Sequence, residues 1–133
     1  MRLWISAAAV NGFLAVAMGA FAAHGLAGRL APEALDWIET AARYQAIHGL
    51  ALLGVAALAG RAQGRPFALR LAGWGFLLGT VLFCGALYLM GLSGWRAPGA
   101  VVPFGGVAFL AGWAALLAYG LGSRRGVEGR WPT

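Results

Sequence analysis

Four long runs of the sequence contain no Asp, Glu, Lys or Arg, and this feature constrains the fold more than any other. The runs cover residues 3–28, 44–60, 71–95 and 97–123. A bilayer hydrocarbon core about 30 Å thick requires roughly 20 helical residues, so the first, third and fourth runs are long enough to cross it. The second run is shorter and must be extended by residues that precede it. The pattern predicts that most of the chain lies in lipid.

The composition agrees with lipid as the solvent. Apolar residues make up 61% of the chain and charged residues 11%, whereas soluble domains contain roughly 45–50% and 25%. The net charge is +6 and every basic residue is Arg. These arginines flank the apolar runs without forming a basic-aromatic patch. They therefore indicate anionic lipid headgroups, and not nucleic acid, as the partner.

The second span draws on an amphipathic stretch before it. Pro32 suits the first position of a helix, and Glu33 and Asp36 lie in the opening turns, where the helix dipole favours negative charge. A helix over residues 32–60 would reach about 43 Å at 1.5 Å per residue. Its first third is expected to lie in or beyond the headgroups. A kink near residues 40–44, between an interfacial and a spanning piece, is the alternative.

We predict an all-α fold in which residues 1–133 form one integral membrane domain, a four-helix transmembrane bundle. The spans are expected at about 3–23, 42–60, 71–92 and 103–121. Helices satisfy backbone polar groups in lipid, and the alternating segments of a β-barrel are missing. The excess of arginine on one side favours two cytoplasmic termini. The inside arginines would be Arg2, Arg61, Arg65, Arg70, Arg124, Arg125 and Arg130, and the outside ones Arg29, Arg43 and Arg96.

The first span also resembles a cleaved signal peptide, because Ala20-Phe21-Ala22 has the pattern of a cleavage site. Apolar cores of signal peptides hold about 7–15 residues, and the span 3–23 is longer, so we expect a retained helix. His24 then lies at its outer end, before Gly25, a common helix-capping residue. We interpret His24 as an interfacial residue that caps the last carbonyls.

Helix two carries most of the candidate functional side chains. Glu39 and Arg43 have the i,i+4 spacing and order that favour an ion pair. Tyr44 and His48 fall on a different face, so one Glu-Arg-His site is not expected. His48 lies about 7.5 Å deeper than Arg43, where ionisable side chains usually face the interior and a partner. The two candidate partners of His48 are Tyr44 and His24.

Small residues predict close packing of helices. The positions spaced four apart are Ala15, Gly19 and Ala23 in helix one and Gly75 and Gly79 in helix three. In lipid, such faces let helices approach closely, either within the bundle or between copies. Gly105 and Gly106 begin helix four, where they permit close backbone approach. Anion binding at this helix N-terminus is the alternative reading.

The sequence predicts no catalytic, cofactor or metal site. The two histidines lie at different depths and no haem-attachment motif occurs, which argues against haem. Zinc would require further Cys, His or carboxylate ligands. Cys84, inside an apolar run, is interpreted as a small buried residue, and Asn11 as a hydrogen-bonding residue between helices.

Aromatic residues near the ends of the predicted spans fit an interfacial belt loosely. They are Trp4, Tyr88, Trp95, Trp113 and Tyr119.

Four segments, spread in order over most of the chain, carry a resemblance to a known family. They are GAFAAHGL (19–26), TAARYQAIHGLALLG (40–54), LFCGALYLMGLSG (82–94) and VPFGGVAFLAGW (102–113). The chain resembles the small four-helix membrane proteins described as domain of unknown function 423, relatives of transmembrane protein 256. Ala22 stands where the family is expected to have Gly. Ala86 stands where Ser is usual, which puts any role of that hydroxyl in doubt.

The resemblance implies a polytopic protein of the bacterial cytoplasmic membrane and supplies no activity. It draws attention to His24, Tyr44, His48, Gly105 and Gly106 as members of the shared segments. Our first expectation is a non-enzymatic structural or assembly component with a membrane protein partner or a second copy. The alternative is a transporter or channel for a small solute, ion or proton that works as an oligomer and uses His48 and His24. A membrane enzyme or redox protein is the third class.

Overall fold

The computed structural model describes residues 1–63 and 66–124, and within them it is almost entirely helical. The helices are α1 (Arg2–Gly25), α2 (Pro32–Arg61), α3 (Phe67–Ser93) and α4 (Val102–Arg124). This confirms the all-α prediction. Each helix contains one predicted span. That the chain forms a single domain stays a prediction, as do the membrane boundaries of the spans. Arg65, Arg125, Arg130 and the side chain of Arg124, used in the orientation argument, lie outside the described residues.

Three of the described helices are long and apolar enough to cross a membrane. They are Arg2–Gly25, Phe67–Ser93 and Ala97–Gly122, and the last includes the 3-10 turn Ala97–Ala100 that leads into α4. α2 is longer than any of these but less apolar, because charged residues occupy its first half and Gln45 and His48 lie further along it. It runs as one uninterrupted α-helix, Pro32–Arg61, and the kink considered near residues 40–44 stays a prediction.

The two middle helices form the centre of the molecule. α1 packs along α2, α4 packs along α3, and α2 and α3 pack against each other. The largest fully buried side chains come from α2 and α3. They are Ile38, Leu52 and Val55 of α2 and Leu69, Phe76 and Cys84 of α3. The core therefore follows the α2–α3 contact, and the burial of Cys84 confirms its interpretation as a small buried residue.

Large apolar side chains cover the outside of this core. Phe13, Val16, Leu50, Phe104 and Leu110 are each at least 69% exposed. Exposed apolar surface on this scale is unfavourable in water and marks contact with a membrane or a partner. The surface of the described helices thus matches a hydrocarbon environment.

α1 packs against the bundle along a seam that includes the predicted Ala15 but not Ala23. Its buried positions step by three, four or seven residues, which is the seam of a coiled coil. They are Trp4, Ala8, Asn11, Ala15 and Ala22. Ala23, which was predicted on this face, is exposed. A strict four-residue step drifts around the helix, whereas alternating steps of three and four stay on one side.

Two π-helical turns, which the sequence analysis did not predict, lie within the helices. Phe21–Gly25 forms the last turn of α1, and Thr80–Cys84 lies in the middle of α3. The hydroxyl of Thr80 donates a hydrogen bond to the carbonyl of Phe76 at 2.9 Å. A π turn widens the helix locally and redirects the side chains that follow it.

The connection between α3 and α4 is held against the start of α2. Arg96 Nη2 donates to Glu33 Oε2 at 2.7 Å, and its guanidinium lies 5.2 Å from the centre of the Trp37 ring. The predicted pair Glu39–Arg43 is not among the ion pairs that the described residues form. Both side chains are exposed, where an i,i+4 pair contributes only about 0.3–0.5 kcal/mol against hydration.

Candidate functional site

A chain of hydrogen bonds crosses the interior from α1 through α2 to α3. Asn11 Nδ2 donates to the carbonyl of Ala7 at 2.8 Å, and Gln45 Nε2 donates to Asn11 Oδ1 at 3.1 Å. The hydroxyl of Tyr88 then donates to Gln45 Oε1 at 2.7 Å. The amide of Gln45 thus links all three helices, and the interhelical role predicted for Asn11 is confirmed.

No role was predicted for Gln45 from the sequence, and Tyr88 was assigned to an interfacial aromatic belt. The available signal was a lone amide in the uncharged run 44–60, only three residues before His48. A polar side chain at that depth requires a partner, because lipid offers none. The partner itself could not be predicted, because it lies on another helix and depends on how the helices are rotated and staggered.

His48 is buried and both of its ring nitrogens are hydrogen-bonded within the protein. Nδ1 lies 2.7 Å from the carbonyl oxygen of Tyr44, and Trp113 Nε1 lies 3.2 Å from Nε2. A carbonyl only accepts and an indole N–H only donates. The proton of His48 is therefore on Nδ1, and Nε2 accepts the bond from Trp113. This arrangement suits the neutral imidazole alone.

Aromatic rings from three helices surround the imidazole. The ring of Phe109 stacks on it with centroids 3.5 Å apart and an interplanar angle of 9°. The rings of Phe76, Tyr44 and Trp113 have centroids 5.6, 6.0 and 6.0 Å from it. We call these four rings the aromatic box. It places His48 at the point where α2 meets both α3 and α4.

The structure places the other predicted polar residues away from this box. His24 is exposed in the last turn of α1 and is not a partner of His48. Tyr44 contributes its carbonyl and ring to His48, not the hydroxyl bond considered from the sequence. Glu39 and Arg43 are exposed on α2. The structure therefore brings together Tyr44 and His48 alone among the five polar candidates.

Three of the aromatic residues assigned to an interfacial belt contact other helices, namely Tyr88 through Gln45, Trp113 and Trp4. Trp113 bonds His48, and Trp4 is 7% exposed with its ring edge-on to Trp74 at 5.5 Å. Trp95 is 60% exposed, as a belt residue would be. Trp4 is thus largely buried, Trp113 combines its bond to His48 with 43% exposure, and the interfacial belt stays a prediction.

Glycines in α3 allow α4 to approach closely enough to complete the box. A Cβ added at Gly75 would lie 2.8 Å from Gly112 Cα and 2.9 Å from the carbonyl oxygen of Ala108. A Cβ at Gly79 would collide with the ring of Phe109, which is the ring stacked on His48. Gly75 and Gly79 thus serve packing within one chain.

The remaining predicted glycines differ from one another. A Cβ at Gly105 would collide with the backbone of Phe83, so α4 begins in close contact with α3. At Gly19 the nearest atom would be the Cβ of Ala42 at 3.9 Å, an ordinary contact. At Gly106 nothing lies within 4 Å, so the close approach suggested for this residue does not occur within the described part of the chain.

The interior polar groups form a closed set. Every buried side-chain nitrogen and oxygen in the described residues has a hydrogen-bond partner. The same residues contain no group of three or more His, Cys, Asp or Glu side chains placed to hold a metal ion. Chemically, the arrangement fixes the four helices relative to one another.

Among the cavities of the surface, two are grooves between neighbouring helices that lie beside α1. One, of about 400 Å³, runs between α1 and α2, and small residues form much of its floor: Ala8, Ala9, Gly12, Ala46 and Gly49. We call it the small-residue groove. The other, of about 470 Å³, lies between α1 and α3, with Asn11, Gln45 and Tyr88 among its lining residues.

Comparisons with known proteins agree with this architecture. Residues 18–106 match the family described as protein of unknown function (DUF423). The chain is 43% identical over 122 residues to the UPF0382 inner membrane protein YgdD of Escherichia coli (strain K12), covering 87% of each chain. It is 39% identical over 117 residues to the UPF0382 membrane protein SERP0230 of Staphylococcus epidermidis, covering 88% of this chain and 93% of the other. No solved structure matches the chain.

Proposed function

We propose that this chain, which belongs to the DUF423 family of proteins of unknown function, is a non-enzymatic structural or assembly component of the membrane. It is a multi-pass integral protein of the cell membrane, as its relatives' names and its three membrane-capable helices indicate. One observation carries the proposal. Every buried polar side-chain atom in the described part of the chain has a hydrogen-bond partner within the protein, and these bonds hold the helices together.

A proton or ion path makes the opposite demand on such residues. Intramembrane polar groups on a transport route face a water-filled cavity or relay protons between sites. The two nitrogens of His48 are used by Tyr44 and Trp113, and its ring is stacked on Phe109. His24 is exposed at the end of another helix. This geometry favours the structural role over a path that joins the two histidines.

A protein whose interior is fixed acts through its surface. On this surface, the small-residue groove suits a membrane helix of a protein partner. Small side chains let two helix backbones approach closely, which is the main source of helix association in lipid. A Cβ added at Gly12 would meet nothing within 4 Å. The groove is therefore open at this point and can receive side chains from a second helix.

Co-purification tests the assembly role. The tagged protein is extracted from its native membranes in lipid-preserving polymer, and stoichiometric partners are identified by mass spectrometry. We expect one membrane protein partner, lost from the Gly12→Leu variant because the larger side chain fills the groove. Ala111→Leu is the matched control, because Ala111 is exposed on α4, away from the groove. Recovery of the protein without a partner, or equal recovery with both variants, would contradict the proposal.

A flux measurement tests the transport alternative directly. Purified protein is reconstituted in vesicles loaded with a pH-sensitive dye, and a pH gradient is imposed. The structural role predicts the same leak rate as empty vesicles. A faster leak that His48→Gln abolishes would establish the alternative.

A further inference from the structure

We propose that the end of the bundle where α1 and α3 begin holds a binding site for one anionic glycerophospholipid. The site is a pocket of about 460 Å³ whose lining includes Trp4, Leu69, Arg70 and Trp74. Ligand pockets of small molecules usually have about 300–1,000 Å³. The proposal is independent of the assembly role, which concerns a different surface of the molecule.

The distribution of charge gives the first argument. All acidic side chains of the described residues lie in the first turns of α2: Glu33, Asp36 and Glu39. The pocket lies at the opposite end, where α1 begins, α2 ends and α3 begins. Of the arginines that the structure describes, Arg2, Arg61 and Arg70 lie there.

These arginines have no acidic partner within the described part of the chain. The described residues form an ion pair between Arg96 and Glu33, which lies at the end of the bundle opposite the pocket. Among the described residues, the end with the pocket therefore carries positive charge without an acidic partner, and Arg70 lines the pocket itself. A phosphate group supplies the missing negative charge, and guanidinium binds phosphate oxygens through two parallel hydrogen bonds.

The walls of the pocket give the second argument. Leu69 is 2% exposed and forms an apolar base, while Trp74 is 53% exposed beside Arg70. The rings of Trp4 and Trp74 meet edge to face at 5.5 Å. Tryptophan and arginine together at a membrane boundary suit an amphiphile, with its phosphate on the cation and its first acyl carbons on the ring.

The position of the pocket beside a lipid bilayer indicates a phospholipid as the ligand. The pocket lies at the end of helices whose outer surfaces are apolar along their length. A phospholipid of the adjoining leaflet reaches the pocket by lateral diffusion and buries its chain against apolar side chains. Free phosphate would gain the contact with Arg70 and nothing from the tryptophans, so we assign the site to the lipid.

Native mass spectrometry with added lipid tests the site. The probes are phosphatidylglycerol, zwitterionic phosphatidylcholine and inorganic phosphate. We expect one phosphatidylglycerol per chain, at least tenfold weaker binding of phosphatidylcholine, and no competition from millimolar phosphate. Arg70→Gln should weaken phosphatidylglycerol binding about tenfold or more, as expected for the loss of a hydrogen bond to a charged group. Arg70→Lys should restore part of the affinity.

Arg29→Gln is the matched control, because it removes the same charge from an exposed position at the other end. Its affinity for phosphatidylglycerol should equal that of the unaltered chain. An equal loss of affinity in both variants would show that general charge attraction causes the binding, and it would overturn the proposed site. Equal binding of the two lipids, or displacement by phosphate, would also overturn it.

A second measurement uses the unaltered chain and so does not depend on how the variants fold. Phosphatidylglycerol with a photoreactive group close to its phosphate is added to the protein in bilayers and irradiated. We expect the label on peptides that contain residues 1–4 and 66–74. Equal labelling of the two ends of the bundle would contradict the proposal.

Discussion

At the scale of single residues, lipid determines which side chains become structural. A hydroxyl or amide that would be solvated at a water-exposed surface must find a partner on a neighbouring helix when it lies in a membrane. The sequence therefore allowed the inward position of His48 and the interhelical role of Asn11 to be predicted. It did not reveal Gln45 as the link or Trp113 as the donor to His48. Those pairings depend on how two separate helices are rotated and how deep each one lies. The periodicity of one helix gives no information on the position of another.

The hydroxyl of Tyr88 should contribute measurably to stability, because it is the α3 end of the hydrogen-bond chain. Tyr88→Phe removes this hydroxyl and keeps the ring. We expect the free energy of unfolding to fall by about 0.6 kcal/mol, the average for such hydrogen bonds in a membrane protein, and by no more than about 1.7 kcal/mol. The measurement is steric trapping in bicelles.

Tyr44→Phe serves as the control for Tyr88→Phe. Its hydroxyl has no hydrogen-bond partner in the described part of the chain, and its contacts are made by the ring and the carbonyl. The change in unfolding free energy should be close to zero. Equal losses for the two variants would mean that the bond from Tyr88 to Gln45 does not hold α3 in place.

At the scale of the helices, charge-free runs predicted which segments are helical, and packing decided their details. The runs located four helices because backbone groups in lipid must bond internally. The π turn Thr80–Cys84 was not predicted, because a single Thr80 in an apolar run does not mark an extra residue per turn. The face of α1 was predicted with Ala23 inward, whereas the seam follows the alternating steps that end at Ala22. Contacts between the side chains of α1 and α2 determine which face of α1 is buried.

The α3–α4 interface should be intolerant of even one methyl group at Gly75. The added Cβ of Gly75→Ala would meet the backbone of Gly112 and Ala108, which cannot move aside as a flexible side chain would. We expect the variant to lose about 1–3 kcal/mol of unfolding free energy, as overpacked cores do.

Gly120→Ala in α4 is the matched control for this glycine. A Cβ there meets nothing within 4 Å, so the substitution should be neutral or stabilise the helix by about 0.5–1 kcal/mol. Thermal denaturation in one detergent compares the two variants. If Gly75→Ala were as stable as Gly120→Ala, the two helices would not be in the close contact described.

At the scale of the whole molecule, charge and apolar surface divide the protein into zones. Exposed apolar side chains cover the sides of the helices. The described acidic residues lie at one end, and Arg2, Arg61 and Arg70 lie at the other. The orientation of a protein in a membrane follows the number of arginines and lysines on each side, and the predicted count of seven arginines against three favours the cytoplasm for the side that contains Arg2, Arg61 and Arg70.

We therefore expect both termini in the cytoplasm. A reporter that is active only outside the cytoplasm, fused after residue 133, should be silent, and the same reporter in the α1–α2 connection should be active. A cytoplasmic reporter at the same two positions should give the reverse pattern. Activity of the first reporter at the C-terminus would contradict the arrangement.

Contact with water tests the central claim, a closed polar interior, most directly. The protein is labelled with ¹⁵N-histidine and reconstituted in bilayers, and solid-state NMR records the transfer of magnetisation from water to the imidazoles. The two histidines form an internal comparison, because His24 is exposed and His48 is 4% exposed within the aromatic box. We predict rapid transfer to His24 and none to His48, whose Nδ1 should carry the proton. Equally fast transfer to His48 would demonstrate a hydrated interior and contradict the account.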